Sequence, residues 1–383
     1  MPSPDSSAHV VAVALIRHGT VLAAQRSYPD EYAGRWELPG GKLSPGESPE
    51  QGAVREIAEE LGVSIEVTGN LSGAVAIREG LDLIAVTARI LEDGVPEARE
   101  HLALAWVAPE ELDDLDWLEQ DRAFLPELRE LLLDGEAMPG GATGGATRIG
   151  ETVRRPTGPW SPAVHGLLRH LDDTAGVPRL LGVDARGREV LSYIEGTTVR
   201  PDDQTLTDAE VESCGAMLRT IHDAMATYRP QGELQWRYGV RALGPGEVIC
   251  HNDPGVYNWA FNDDRAAGLF DWDMAGPGDP MDDLAFLAWT AVPLYRDIDP
   301  PRAAERLRLL ASAYGDVDAV DLLEAARRRM TTATERIAAG IARGDVGMQN
   351  LAAVGEPERT RGRLGVLAEH APAIASHLDA TTS

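Results

Sequence analysis

Lysine is almost absent from this chain: among 383 residues the only lysine is Lys42, and arginine supplies the other cationic side chains. Cysteine is nearly as scarce. Cys214 and Cys250 are the only two, which excludes a disulfide framework and is typical of a reducing compartment. No apolar run reaches the length of a membrane span, and the N-terminus lacks the basic and then apolar pattern of a signal peptide. We therefore expect a cytoplasmic protein without a membrane partner.

Positive charge is also scarce relative to negative charge. The chain has 35 Lys and Arg against 62 Asp and Glu, a formal net charge of −27, and both halves are acidic. An acidic surface repels a phosphate backbone, so a nucleic-acid polymer is not an expected partner. Small nucleotides that are presented with a divalent cation remain compatible with this charge.

The length is sufficient for two or more domains, and the clearest break in composition is the glycine-rich stretch 134–147. Taken alone, this stretch indicates a flexible linker. A short strand pair is predicted directly after it, at residues 148–155, so it is equally consistent with a phosphate-facing loop, and both interpretations stay open. We place the domain boundary here, which gives a first domain at 1–134 and a second at 135–383.

A carboxylate-rich helix is predicted over residues 49–61. Ser48 is a suitable N-cap with Gln51 at the capping-box position, and Gly62 is a suitable stop. Three glutamates share one face of this helix: Glu56, Glu59 and Glu60. Four apolar residues are expected to be buried on the other face: Val54, Ile57, Ala58 and Leu61. Three close carboxylates repel one another unless a cation lies among them, and an oxygen-only cluster favours Mg²⁺ or Mn²⁺.

The whole motif begins at Gly41, continues through Glu47 and ends with the run 55–63, Arg-Glu-Ile-Ala-Glu-Glu-Leu-Gly-Val. This spacing resembles the Nudix box of the Nudix hydrolases at every position. The resemblance covers roughly residues 8–133 and is greatest to the MutT-like branch. It implies an α/β/α sandwich that cleaves nucleoside triphosphates, of the 8-oxo-dGTP, CTP or dNTP type, to monophosphate and pyrophosphate.

The same resemblance implies roles for individual residues. Glu59, Arg55 and Glu56 are the expected catalytic residues, and Arg55 would orient the glutamates. The metal would be held by the carbonyl of Gly40 and by the carboxylates of Glu56, Glu59, Glu60 and Glu100. The nucleotide would be bound by Arg26, Arg35, Lys42 and Asp121, with Asp121 at the base. Glu100 and Asp121 are equally consistent with solvated surface acids.

A second chemical motif lies in the C-terminal half, where His251, Asp253 and Asn258 are followed by Asp271 and Asp273. A carboxylate that accepts a hydroxyl proton, with an amide and a second carboxylate on Mg²⁺, is the usual equipment of phosphoryl transfer. The stretch resembles the aminoglycoside phosphotransferase-like kinases. That resemblance implies a protein-kinase-like bilobal domain that uses ATP, with Asp253 as the base and Asn258 and Asp271 as metal ligands. Asp283 would brace the fold.

The kinase pattern is incomplete, because such kinases bind the ATP phosphates with a lysine that is paired to a helix glutamate. Lys42 lies in the other domain, so Arg154 or Arg155 is the only stand-in, and the helix predicted at 161–171 contains no Asp or Glu. The acidic composition favours a cationic hydroxyl acceptor.

We therefore predict a two-domain α/β (α+β) enzyme, a Nudix pyrophosphohydrolase fused to a phosphotransferase. The first alternative is a Nudix hydrolase whose kinase-like half only binds a ligand and regulates. The second is a module that senses a nucleotide without turnover.

Overall fold

The computed structural model describes residues 8–91, 94–138, 145–200, 202–315 and 317–380. The chain divides into two compact units, and the division falls between Arg154 and Arg155. The boundary predicted after Asp134 stays a prediction, but residues 145–154 make their contacts within the first unit. Of the glycine-rich junction, residues 139–144 lie outside the described residues.

The first unit contains a mixed sheet with helices on both faces. Its strands are β1 (Ala8–Arg17), β2 (Thr20–Arg26), β3 (Trp36–Glu37), β4 (Gly40–Lys42), β5 (Ile65–Asn70), β6 (Val75–Arg78), β7 (Leu81–Ile90) and β8 (His101–Val107). Its helices are α1 (Pro49–Leu61), α2 (Glu119–Arg122) and α3 (Leu125–Asp134). The main sheet has the order β3-β2-β1-β7-β5, with β4 paired to β1, β6 to β7 and β8 to β2.

The central strand β1 shows why this sheet is covered on both faces. It pairs in parallel with β7 and carries an unbroken apolar run, as buried strands do. Because successive side chains point to opposite faces, Val13 and Leu15 pack in the cluster that contains α1, whereas Ala14 packs with α3. The result is the predicted α/β/α sandwich.

Helix α1 has the predicted ends. The hydroxyl of Ser48 accepts from the backbone N–H of Gln51, whose side chain accepts from the N–H of Ser48, and Gly62 ends the helix at φ 72°. The buried stripe differs in part from the prediction. Ile57 and Leu61 are buried as expected, whereas Val54 and Ala58 are exposed, because the sheet is covered by the residues that recur every fourth position from Ala53. With this shift Glu59 is exposed, whereas Glu56 and Glu60 are half-buried.

Three short strands follow α3: β9 (Glu136–Ala137), β10 (Thr147–Ile149) and β11 (Thr152–Pro156). β10 pairs antiparallel with both β9 and β11, which confirms the predicted strand pair. The unit division falls inside β11.

The second unit has a small strand-rich part and a larger helical part. Its strands are β12 (Leu180–Val183), β13 (Arg188–Ser192), β14 (Thr197–Thr198), β15 (Leu234–Trp236), β16 (Gly239–Arg241), β17 (Val248–Cys250), β18 (Trp259–Asn262), β19 (Arg265–Leu269) and β20 (Gly276–Gly278). Its helices are α4 (Ser161–His170), α5 (Asp208–Met225), α6 (Pro280–Ala291), α7 (Pro300–Tyr314), α8 (Ala319–Ala342), α9 (Val346–Ala353) and α10 (Glu358–Asp379). One continuous apolar cluster joins α5, α6, α7, α8 and α10.

These elements confirm the predicted mixture of helices and strands. Cys214 and Cys250 are both buried and not disulfide-bonded. Within the described part of the chain, no helix combines the length and the apolar character that crossing a bilayer demands.

Candidate active sites

Arg55 is the organising side chain of the acidic face of α1. Its Nε and Nη2 each donate to the carboxylate of Glu47 at 2.9 Å, in the two-pronged geometry that suits a guanidinium. Its Nη1 lies 2.9 Å from Glu56 and 3.5 Å from Glu59, and Nη2 also donates to the carbonyl of Lys42. The hydrogen bonds from Arg55 lower the pKa of Glu47 to about 2. Arg55 therefore holds three carboxylates in register, as its predicted orienting role requires.

Glu60 lies at the inner end of the same face, next to the Gly40–Gly41 backbone. Its Oε2 accepts from the N–H of Gly40 at 3.1 Å. Burial raises the pKa of Glu60 to about 7, against an opposing effect of His101. A Cβ at Gly40, whose φ is 150°, would lie 2.0 Å from the carbonyl oxygen of Val11, so glycine is needed here for β4 to approach β1.

A second ionic cluster adjoins these glutamates. Arg26 donates to Glu37, and Nε2 of His101 lies 3.4 Å from the other carboxylate oxygen of Glu37. The His101 side chain is 4% exposed, and its Nδ1 is buried without a hydrogen-bond partner. Glu100, the predicted extra ligand, is exposed, and its backbone carbonyl accepts from Ser27 at 2.5 Å. His101 thus lies close enough to act on the pKa of Glu60, whereas the side chain of Glu100 is exposed.

The remaining predicted nucleotide contacts of the first unit are spread over its surface and its interior. Arg35 donates to the carbonyl of Trp117 at 2.7 Å and pairs with Asp116, whereas Lys42 is exposed. Asp121 is 4% exposed and accepts from the N–H of Leu38 at 3.0 Å, so it is not a solvated surface acid. Burial raises the pKa of Asp121 to about 7.

In the second unit, the loop after β17 is held by a buried carboxylate. Asp283, at 0% exposure on α6, accepts from the N–H of His251 and from the N–H of Asn252, each at 2.8 Å. The ring of His222 lies 3.2 Å from the same carboxylate and 2.7 Å from the hydroxyl of Tyr314. Asn252 adopts a left-handed φ of 65°, a conformation that asparagine tolerates better than most residues. Asp283 therefore braces this loop.

Asp253 sits at the tip of that loop with two side-chain donors. The hydroxyl of Tyr257 donates to its Oδ1 at 2.6 Å, and the amide of Asn258 donates to its Oδ2 at 3.2 Å. Burial raises the pKa of Asp253 to about 7, and the negative charge of Asp271 raises it further. A carboxylate with a pKa near neutrality suits a general base.

Arg155 collects three carboxylates of the second unit. Its Nη2 lies 2.6 Å from Asp271 and 3.1 Å from Asp273, and its Nη1 lies 3.5 Å from Glu189 on β13. Glu189 is 3% exposed, and its other oxygen lies 2.8 Å from Nε2 of His165 on α4. Helix α4 lacks a glutamate, as the sequence states, but strand β13 supplies one to the arginine.

The other predicted stand-in, Arg154, is not part of this arrangement. It is paired in the first unit with Glu110 at 2.8 Å and donates to Thr152. Neighbouring strand residues point to opposite faces, so only one of the two arginines can reach Asp271.

Comparison with known proteins assigns both units to families. Residues 7–128 match the profile of the NUDIX domain, and residues 240–323 match that of the Phosphotransferase enzyme family. A Mycobacterium tuberculosis protein named "Putative 8-oxo-dGTP diphosphatase 2" is 44% identical over 126 residues, which are 32% of this chain and 89% of that protein. The CTP pyrophosphohydrolase of Escherichia coli is 40% identical over 104 residues, 27% of this chain and 76% of that protein. The chain joins a Nudix domain to a phosphotransferase-family domain.

A further relative is the trifolitoxin immunity protein of Rhizobium leguminosarum. It is 38% identical over 197 residues, which are 48% of this chain and 74% of that protein.

The side chains of the Nudix domain suit a divalent metal in their chemistry. The donors on α1 are carboxylates only, and buried Glu60 has a pKa raised to about 7, which a nearby cation would relieve. Among the described residues, no group of three or more acidic, histidine or cysteine side chains already converges at metal-binding distance, and Arg55 is paired with Glu56 and Glu59.

Several site residues were missed by the sequence reasoning. His101, Glu189, His165 and Tyr257 act through contacts far along the chain or across a loop. Glu189 had a detectable signal, because it occupies an inward position of β13 two residues before the buried Leu191.

Proposed function

We propose that the Nudix domain is a Mg²⁺- or Mn²⁺-dependent pyrophosphohydrolase that cleaves nucleoside triphosphates to monophosphate and pyrophosphate. The observation that carries this proposal is the Arg55 clamp, which presents Glu56 and Glu59 beside the buried Glu60. The names of the Mycobacterium and Escherichia coli relatives support 8-oxo-dGTP, CTP and related dNTPs as the substrates to test.

In this proposal the residues divide the work. Glu56, Glu59, Glu60 and the Gly40 carbonyl hold the metal, and Arg55 orients the glutamates. When bound, the ion neutralises the polyphosphate, polarises the attacked phosphorus and lowers the pKa of the attacking water. Asp121 reads an edge of the base, where its raised pKa lets it donate as well as accept a hydrogen bond. Arg26, Arg35 and Lys42 supply the cationic side chains of the nucleotide site, and Glu100 is a further candidate ligand.

For the phosphotransferase domain we infer transfer of the ATP γ-phosphoryl group to a small hydroxyl acceptor. Asp253 takes the proton of that hydroxyl, and Asn258, whose amide nitrogen donates to Asp253, would be one metal ligand through its oxygen. Asp271 is the second metal ligand. Arg155 replaces the usual lysine, with Glu189 as its partner.

The competing function for this domain is binding without transfer. The arginine at the position where such kinases have a lysine favours binding without transfer, because a guanidinium binds phosphate with a different geometry from an ammonium group. The kinship to an immunity protein is compatible with it too, since immunity can rest on capture of a ligand. A nucleotide-sensing Nudix domain without turnover is the corresponding alternative for the first unit.

One experiment separates these functions. The full chain is incubated with Mg²⁺ and a panel of 8-oxo-dGTP, CTP, the dNTPs and ATP, and the products are resolved. The test variants are Glu59→Gln, an exposed position where folding is not at stake, and Asp253→Asn. We expect monophosphate and pyrophosphate to fall by about 100-fold or more in Glu59→Gln alone.

With glycerol added as the hydroxyl acceptor, ADP formation from ATP should fall only in Asp253→Asn, so each variant is the control for the other. Turnover that neither substitution changes would contradict both assignments. Nucleotide binding without any product would establish the sensing alternative.

A further inference from the structure

Arg329 on α8 is a buried arginine that contacts the loop that carries Asp253. It is 5% exposed, its Nη2 donates to the carbonyl of Asn252 at 2.6 Å, and its guanidinium lies 4.9 Å from the ring centre of Phe286. Its Nε is buried with no hydrogen-bond partner. Among the residues that the structure describes, no carboxylate lies at ion-pair distance from Arg329. Arg329 lowers the pKa of Asp253 without pairing with it directly. Because buried guanidinium groups normally have a direct partner, this charge points to an anion from outside the chain.

Arg336 extends the same positive surface. It lies about two helical turns beyond Arg329, on the same face of α8, and is exposed. Its guanidinium carbon lies 5.4 Å from the ring centre of Tyr238, in the turn between β15 and β16, and no ion-pair partner is found for it in the described ranges. Tyr238 is 46% exposed, which leaves its ring open to a ligand.

Tyr238 connects these arginines to the proposed base. Partial burial of its hydroxyl and the charge of Asp253 raise the pKa of Tyr238, whereas Arg329 and Arg336 oppose the rise. The hydroxyl of Tyr257 is hydrogen-bonded to the same Asp253. We call Tyr238, Tyr257, Arg329 and Arg336, which all act on Asp253 or on one another, the acceptor surface.

A third arginine and two carboxylates also face this surface. Arg237 also acts on Tyr238, but it stacks 4.1 Å from the ring centre of Trp160 and pairs with Asp345 at 3.5 Å, so its charge is partly neutralised. Two negative groups act on Tyr257: Asp253 through a direct hydrogen bond, and Asp271 through its charge. The four residues of the acceptor surface are themselves aromatic or cationic, although the chain as a whole is acidic.

We propose that the acceptor carries an acidic group, a carboxylate or a phosphate, which binds Arg336 and Arg329 while its hydroxyl lies at Asp253. This inference rests on the proposed phosphotransfer. The hydroxyl oxygen forms a bond to the γ-phosphorus, the bond from that phosphorus to the β–γ bridging oxygen breaks, ADP leaves, and the hydroxyl proton passes to Asp253. The result is opposite to the cationic acceptor expected from composition, because screening confines a charge to roughly 8 Å and local groups decide.

The test uses three probes with the same carbon skeleton and different charge: glycerate, glycerol and 3-amino-1,2-propanediol. Their affinities for the full chain with Mg²⁺ and ADP are measured by calorimetry, and ADP formation from Mg²⁺ and ATP is measured with each. We expect glycerate to bind roughly tenfold more tightly than the amine, the effect of one charge-assisted hydrogen bond. Arg336→Gln should abolish that preference and leave the KM for ATP within twofold. Arg328→Gln, an exposed position on the same helix, is the matched control and should change neither.

Two results would overturn the inference. The first is an amine that binds as tightly as glycerate. The second is an Arg336→Gln variant in which only the KM for ATP changes, because the arginine would then serve the donor phosphates. Acceptor-dependent ADP formation without a preference for the acid refutes this inference and leaves the phosphotransfer intact. Arg336-dependent binding of glycerate without ADP formation supports the anion site and refutes the phosphotransfer.

Discussion

The buried carboxyl of Asp121 should make the Nudix domain less stable as the pH rises. Burial raises its pKa from 3.8 to about 7 in the folded protein. Between these values the folded state binds more protons than the unfolded state, so the free energy of unfolding falls as the pH increases through this window. Below about pH 4 the group is protonated in both states, and above about pH 7 the full cost is present.

Asparagine at position 121 removes this cost, because a neutral amide has the acceptor for the N–H of Leu38 and a donor in place of the acid proton. The pKa rise from 3.8 to about 7 is about 3 pH units, which at about 1.4 kcal/mol each gives an upper value of about 4 kcal/mol above pH 7. Such a difference is a large part of the stability of an ordinary domain. We therefore expect Asp121→Asn to be no more stable than the parent near pH 4 and clearly more stable at pH 8.

Urea unfolding of the full chain at several pH values provides the measurement. Hydrogen exchange of peptides from β1 follows the Nudix domain alone, after correction for the pH dependence of intrinsic exchange. Glu119→Gln, an exposed acid on the same helix α2, is the control and should give a small difference without pH dependence. A stability difference for Asp121→Asn that is flat across pH, or that favours the parent at pH 8, would refute the argument from burial.

Two further substitutions test the ion pairs that hold the proposed sites. Arg55→Lys loses the two-pronged contact with Glu47. We therefore expect kcat/KM for pyrophosphate release to fall by about 10- to 100-fold while the unfolding midpoint changes little. An unchanged kcat/KM would contradict the proposed role of Arg55. Glu189→Gln removes a negative partner of both Arg155 and His165, and we expect the KM for ATP to rise about tenfold with the acceptor KM unchanged. Equal changes in both KM values would indicate a merely structural role for the glutamate.

The features that could be predicted from the sequence are those determined by residues close together in the sequence. The ends of α1 follow from Ser48, Gln51 and Gly62, each of which acts within one helical turn, and all three were confirmed. The fold class followed in the same way, from apolar runs and turn residues.

The missed groups depend on distant contacts. Glu189 contacts Arg155 and His165 because β13, β11 and α4 pack together in the folded chain. A local sequence pattern does not predict which buried acid will pair with a given arginine. Arg329 on α8 contacts Asn252 in the loop after β17, although the two residues lie far apart in the sequence. Local sequence patterns do not predict such a contact. The one-position shift of the buried face of α1 has a similar cause, because the sheet selects which of two adjacent apolar stripes it covers.

The position of Lys42 has a practical consequence. This exposed residue lies on β4, with its carbonyl bound by Arg55, and no other side chain of the protein bears a primary amine. A fluorophore with amine-directed chemistry would therefore attach to one side chain, beside α1, and otherwise only to the α-amino group. Its emission would report events at the Nudix glutamates without a second label in the phosphotransferase domain, and the natural sequence needs no substitution for it.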